Sequence, residues 1–130
     1  MKALRMLPGL AFNVPSIASK SADVVEEILG RPDKSSSTYL GGKVKQTYRR
    51  GAVEVVYVDG KATWIKLYDT RGLPFGREAL PKLGLPVKKP TYVNQDRVMS
   101  WGNISNLREV SLYAGNGGVS YVLVCVQSAA

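Results

Sequence analysis

The chain has 130 residues and a formal net charge of +8, with 45% hydrophobic and 22% charged residues. This length is typical of one domain, and the composition excludes a largely disordered chain. There is no histidine and a single cysteine, Cys125. The sequence therefore excludes an internal disulfide and every catalytic arrangement that needs a histidine. The positive charge favours acidic partners such as nucleic acid, anionic lipid or an acidic protein surface.

Residues 1–20 are interpreted as an N-terminal extension within a single domain over residues 1–130. No stretch approaches the roughly 20 apolar residues that a membrane-spanning helix needs. The first residues faintly resemble a signal peptide, but Arg5 and the pair Pro8-Gly9 interrupt the apolar run. We therefore expect no membrane span and a cytoplasmic location.

Each half of the remaining sequence begins with a helix that ends at the motif Leu-Gly-x-Pro. In the first unit, residues 21–69, Ser21 is a typical N-cap and an apolar stripe follows at helical spacing. In the second unit, residues 70–126, Pro81 is tolerated only in the first turn, so a short helix is expected. The glycine of the motif favours the left-handed conformation that ends a helix, and the proline prevents its continuation.

Three strands are predicted after each helix. The last two strands of each unit form a hairpin. Asp59-Gly60, a strong two-residue hairpin signal, closes the first hairpin, and a glycine-rich turn closes the second. The expected strands lie near Lys43 to Arg49, Val53 to Val58, Ala62 to Tyr68, Arg97 to Trp101, Leu107 to Ala114 and Val119 to Val126.

The two units match each other at offsets of 53 to 57 residues. Several matches in the same order indicate an internal duplication. We therefore predict an α+β fold in which two tandem αβββ repeats form an antiparallel sheet of about six strands, with the helices packed on one face. The matched positions are Leu29-Gly30-x-Pro32 with Leu83-Gly84-x-Pro86, Tyr39 with Tyr92, Tyr48 with Trp101, Glu54-Val55 with Glu109-Val110, and Trp64-Ile65 with Tyr121-Val122.

This pattern of a Leu-Gly-x-Pro helix end, an aromatic-bearing strand and an Asp-Gly hairpin resembles a known group. It is similar to the helix-plus-meander repeats of beta-lactamase inhibitory proteins and to the single unit of the SmpA/OmlA outer-membrane lipoproteins. The resemblance covers roughly residues 15 to 126. It implies a non-catalytic protein-binding module with a concave sheet.

The residues offer no catalytic, cofactor-binding or metal-binding constellation. The acidic residues are spread along the chain without the spacing of a carboxylate metal site. Glu54 and Glu109 occupy equivalent repeat positions, so an enzyme that uses this carboxylate pair is one alternative. Two solvent-facing strand glutamates are the more ordinary interpretation. Cys125, within an apolar run, is interpreted as a small buried hydrophobe.

The last strand is apolar on both of its sides, although helices on one face of a sheet would leave the other face wet. Either loops or a partner then cover the second face, and aromatic residues are typical interface anchors. We predict a non-catalytic module that binds another protein or its own copy. The candidate partner face contains Tyr57, Trp64, Trp101 and Tyr121.

Basic residues cluster in the strand before the first hairpin and in the corresponding linker of the second unit. With aromatic residues nearby, such charge is typical of proteins that bind single-stranded nucleic acid, which is the alternative function. A lysine-protected edge strand is the structural alternative. The candidate basic patch contains Lys43, Lys45, Arg49, Arg50, Lys88 and Lys89.

Overall fold

The computed structural model describes residues 12–37, 43–95, 97–115 and 118–126. This part of the chain folds into three short helices and one antiparallel sheet, so the predicted α+β class is confirmed. The helices are α1 (Val14–Ile17), α2 (Ala22–Leu29) and α3 (Ala79–Lys82). The strands are β1 (Lys34–Ser37), β2 (Lys43–Tyr48), β3 (Val53–Val58), β4 (Lys61–Leu67), β5 (Tyr92–Asn94), β6 (Val98–Ile104), β7 (Leu107–Gly115) and β8 (Gly118–Val126).

The strand order across the sheet is β1-β2-β3-β4-β8-β7-β6-β5. Two meanders of four strands therefore meet where β4 pairs with β8, and β1 and β5 form the edges. The expected number of about six strands is too low, because the short edge strands β1 and β5 add one strand to each meander. Two sequence-based interpretations fall outside the described residues. These are the match of Tyr39 with Tyr92 and the resemblance of residues 1–11 to a signal peptide.

Helix α2 begins and ends where the sequence predicts. The Ser21 hydroxyl accepts a hydrogen bond from the Val24 N–H at 3.5 Å, which caps the N-terminus. Val25 and Leu29 are buried, whereas the residues between them face outward. Gly30 follows with a φ of +93°, a conformation that favours glycine and stops the helix.

Tight turns join β3 to β4 and β6 to β7. Asp59 and Gly60 have φ values of +52° and +79°, as the predicted two-residue hairpin requires. Ser105 and Asn106, between β6 and β7, have φ values of +49° and +65° and form an equivalent turn. Turns of this hand match the right-handed twist of the strands, so both hairpins can continue straight into the sheet.

The core lies on one face of the sheet, beneath the helices. One row of directly opposed residues crosses five strands, and each of its side chains is fully buried. The row contains Val55, Ile65, Val124, Val110 and Trp101. Buried helix residues, among them Ile17, Val25 and Leu80, belong to the same hydrophobic cluster. The helices therefore cover this face.

The described part of the N-terminal extension belongs to the domain. Val14 and Ile17 of α1 are fully buried. The Val14 N–H donates to the Leu83 carbonyl at 3.0 Å, and the Ser19 N–H donates to the Ala62 carbonyl at 2.9 Å. Residues 12–20 therefore connect the α3 region to the start of β4.

Gly84 provides a test of this connection. Its φ is +78°, and a Cβ at this position would lie 3.2 Å from the Pro15 Cδ and 2.9 Å from the Asn13 Oδ1. The Asn13 side chain can rotate away, but the proline ring cannot. We expect Gly84→Ala to lower the free energy of unfolding by about 1–2 kcal/mol through the backbone conformation, and further through the contact with Pro15.

Gly60→Ala is the matched control, because Gly60 has a φ of +79° and open space around it. Urea unfolding of both variants separates the contribution of the backbone conformation from that of the contact with Pro15. The loss should be larger at Gly84 than at Gly60, and equal losses would show that α1 does not pack tightly against the end of α3.

Candidate functional site

The face of the sheet opposite the helices carries two central rows of side chains. Directly opposed residues on neighbouring antiparallel strands point to the same face. The first row contains Lys45, Val56, Trp64, Cys125 and Glu109. The second row contains Thr47, Glu54, Lys66, Leu123 and Ser111. We call these two rows, together with Lys43, Lys61, Tyr68, Tyr113 and Tyr121 beside them, the open face.

Aromatic side chains form a cluster on the open face. Trp64 and Tyr68 are 41% and 44% exposed, which is unusual for side chains of this size. The rings of Tyr113 and Tyr121 are stacked, with centroids 4.5 Å apart and an interplanar angle of 14°. Tyr68 lies beside Tyr121 at 6.3 Å with a tilt of 40°. The β4–β8 junction thus brings aromatic residues from both halves of the chain together.

Lys66 lies over this cluster. Its Nζ is 4.7 Å from the ring centroid of Tyr121 and 5.2 Å from that of Tyr68, within the range of cation–π contacts. The pKa of Lys66 is raised, chiefly by a hydrogen bond with Tyr68, and Glu54 adds to the shift. The ammonium group therefore remains charged at neutral pH and covers part of the tyrosine rings.

A groove of about 380 Å³ opens beside Trp64 on the same face. Its apolar walls come from Trp64 and two neighbouring aliphatic side chains, and its charged walls come from two lysines and one glutamate. The lining residues are Lys43, Glu54, Val56, Trp64, Lys66 and Leu123. An apolar side chain flanked by charged groups matches such a lining.

The structure divides the four residues of the predicted partner face. Trp64 and Tyr121 lie on the open face, but Tyr57 and Trp101 do not. Trp101 is fully buried beneath the helices, and its Nε1–H donates to the Lys88 carbonyl at 2.7 Å. Tyr57 is 3% exposed, and its hydroxyl lies 2.6 Å from that of Tyr48. Both are core residues with satisfied polar atoms, so their assignment to the partner face is wrong.

The predicted basic patch is also divided. Lys43 and Lys45 are on the open face, whereas Arg49 and Arg50 form the turn after β2, with φ values of +53° and +57°. An Arg49 Nη2–H donates to the Ile28 carbonyl of α2 at 3.5 Å.

The two linker lysines lie at the other side of the sheet. Lys88 is bound through its carbonyl to Trp101 of β6, and its Nζ donates to the Asn103 carbonyl at 3.3 Å. Strand β6 is five positions from β2 in the sheet, about 24 Å away. The six basic residues therefore do not form one patch.

The two glutamates of the carboxylate-pair hypothesis are both on the open face but are far apart. Glu54 of β3 and Glu109 of β7 are separated by three strand spacings, about 14 Å. Paired carboxylates in glycosidases are closer, at about 5–9.5 Å. Glu109 instead accepts a hydrogen bond from the Ser111 hydroxyl at 2.7 Å. Within the described ranges, no group of acidic or cysteine side chains has the geometry to hold a metal ion.

Sequence reasoning missed several residues of the open face. Tyr113 and Lys61 are not among the candidate residues that the sequence indicates. In the strand register, Val58 of β3 lies between Lys43 of β2 and Lys61 of β4. The two lysines therefore border the same end of the open face. The alternation of Trp64, Lys66 and Tyr68 along β4 is the signal that could have found the cluster.

The comparisons with known proteins concern the fold alone. No protein-family model and no curated protein matches the sequence. A cysteine-rich secretory protein from Staphylococcus aureus subsp. aureus Mu50 is similar in structure, with a TM-score of 0.55 and 11% identity over 91% of this chain and 49% of that chain. An extracellular protein containing an SCP domain, from Bacillus anthracis str. Ames, has a TM-score of 0.57 and 10% identity over 97% of this chain and 49% of that chain.

The chain therefore spans about half the length of each of these two proteins. The predicted resemblance to beta-lactamase inhibitory proteins and SmpA/OmlA lipoproteins is wrong, because the structural neighbours are a cysteine-rich secretory protein and an extracellular protein containing an SCP domain. The short Leu-Gly-x-Pro and Asp-Gly motifs that suggested it mark a helix end and a hairpin, which many folds share. None of the helices in the described residues is long and apolar enough to cross a membrane.

Cys125 provides a test of the environment of the open face. It is only half-buried and lies beside Trp64 rather than in the core beneath the helices. Burial, with a smaller effect of Glu109, nevertheless raises the pKa of its thiol above the usual value of 9.0. A raised pKa leaves less thiolate at a given pH, and the thiolate is the nucleophile. We expect the alkylation of Cys125 by iodoacetamide to be slower than that of an unstructured cysteine.

The measurement is the alkylation rate, followed by mass spectrometry between about pH 7 and about pH 10. The midpoint of the pH profile should lie higher for the folded chain than for the same chain in denaturing urea. A midpoint that does not fall on unfolding would contradict the placement of Cys125 against the neighbouring strand side chains.

Proposed function

We propose that this chain is a non-catalytic module that binds protein through the open face. The single observation that carries the proposal is that the exposed Trp64 and the contacting tyrosines Tyr68, Tyr113 and Tyr121 lie on the side of the sheet away from the helices. Large aromatic side chains with polar tips are the commonest energetic anchors of protein interfaces. The partner is either a different protein or a second copy of this chain.

We further propose that the face arose by duplication of one helix-plus-meander unit. The strand order, which is mirrored about the β4–β8 pair, supports this proposal. So does the equivalence of Tyr48 and Trp101, which are both fully buried on strands that precede a hairpin. Under this proposal Trp64 and Tyr121 are equivalent positions on the two central strands. Duplication would then have doubled the aromatic content of one continuous surface.

Site-specific photo-crosslinking tests the binding function. A benzophenone amino acid replaces Trp64 in one variant and Val87 in another, and the variants are irradiated in the cells that produce the protein. Val87 is a suitable control because it is 61% exposed and lies outside the open face. We expect a discrete protein adduct from position 64 that is absent from position 87.

An adduct with another protein or with a second copy of the chain supports the proposed function. Equal labelling from positions 64 and 87, or no adduct from either, overturns it. An adduct at position 64 that nuclease digestion removes also overturns it, in favour of nucleic-acid binding.

A further inference from the structure

The charges around Trp64 are strongly unequal. Lys43, Lys45 and Lys61 lie at the end of the open face formed by β2, β3 and β4, and all three are exposed. Lys66 lies on the other side of Trp64 along β4. The acidic side chains near Trp64 on the described open face are Glu54 of β3 and Glu109, which lies two strands from Trp64 on β7, so four lysines outnumber two carboxylates.

We propose that the groove beside Trp64 binds an acidic segment of another protein, with an apolar side chain seated in the groove between flanking carboxylates. This inference rests on the proposed function, since it names the partner of the same face. The apolar walls of the groove, Trp64, Val56 and Leu123, receive the apolar side chain. The lysines on both sides of the groove are within reach of carboxylates that precede and follow the apolar side chain of the partner.

The energetic argument combines burial with charge. An exposed tryptophan can lose much apolar area to a partner, and the burial of apolar area favours binding. Lysine ammonium groups at the rim attract carboxylates and steer their approach. Lys66 is partly engaged already by two tyrosine rings and by Glu54. We therefore assign the main electrostatic contribution to the exposed lysines Lys43, Lys45 and Lys61, of which Lys43 lines the groove.

A second copy of the chain is a poorer occupant of this groove. In a two-fold dimer the same surface patch meets itself. A two-fold axis that passes near Lys43, Lys45 and Lys61 would bring these lysines toward their own copies, and each chain carries a net charge of +8. Like charges brought together at an interface are unfavourable. An acidic partner removes this repulsion.

Single-stranded nucleic acid is also a poorer occupant. Binding of that kind needs free aromatic faces on which bases can stack. The rings of Tyr68 and Tyr121 contact each other and the Lys66 ammonium group, so the stacking of successive bases would rest mainly on the exposed Trp64. Arg49, Arg50, Lys88 and Lys89, which would have extended a basic track, lie elsewhere on the molecule.

Fluorescein-labelled peptides test the proposal by anisotropy. The acidic probe has a Leu-Phe-Leu centre between two runs of three glutamates. Two control peptides keep the centre and replace the glutamates by serine or by lysine, and a fifteen-nucleotide oligothymidine is the nucleic-acid control. We expect the acidic probe to bind the full chain best. Raising the salt from about 50 mM to about 300 mM should weaken this binding, because screening acts on exposed charges.

Three variants locate the interaction. Lys45→Glu with Lys61→Glu should weaken binding of the acidic probe about tenfold or more, and Trp64→Ser should do the same. Lys88→Glu with Lys89→Glu is the matched control, because it makes the same change in net charge outside the open face, and it should have little effect. Circular dichroism of each variant establishes that the sheet is retained.

The outcomes separate this inference from the proposed function. Suppose that the serine and acidic peptides bind equally, and that Trp64→Ser abolishes binding whereas the Lys45 and Lys61 charge reversal does not. The proposal of an acidic partner is then wrong, but the open face still binds protein. Equal losses in the two lysine double variants overturn the inference, since net charge alone would then explain them. Preference for the lysine peptide or for oligothymidine overturns it as well. If none of the peptides binds but the crosslink at position 64 is still formed, only the proposal of an acidic partner is overturned.

Discussion

The whole sheet depends on the pairing of β4 with β8. Each four-stranded meander has only local connections, and this pair is where the two halves become one surface. On the inner side, Ile65, Leu67, Val122 and Val124 are at most 3% exposed. Burial of such a side chain contributes about 1.5–3 kcal/mol, so the junction is also the centre of the core. On the outer side, the same pairing places Trp64 next to Cys125 and Lys66 next to Leu123.

Those parts of the fold that rest on strong local signals could be predicted from the sequence. The Ser21 cap, the apolar stripe of α2 and the Asp59-Gly60 turn each act within a few residues, and their predicted conformations are present. The edge strands could not be predicted in this way. Strand β1 has no apolar residue and β5 has three residues in all, so their conformation depends on pairing with β2 and β6 rather than on local preference.

The candidate site could be predicted only in part, because strand alternation shows which residues share a face but not which face is covered. The structure places Trp64 on the open face and Tyr57 on the inner face. Tyr57 shares the inner face with Val53 and Val55, and a register irregularity between Val56 and Tyr57 breaks the simple alternation across to β4. Trp101 was misassigned for another reason. Its indole N–H is satisfied by the Lys88 carbonyl, a partner that only the tertiary structure supplies.

An apolar face without helical cover is unfavourable in water unless its own side chains shield it. Lys66 provides such shielding for Tyr68 and Tyr121, since a lysine stem can cover apolar surface while its ammonium group stays hydrated. Trp64, at 41% exposure, has less cover. The lysines around Trp64 would serve two purposes if the partner is acidic, as we propose. Under that proposal, their mutual repulsion would keep two open faces apart, and the same charges would attract a segment that carries carboxylates.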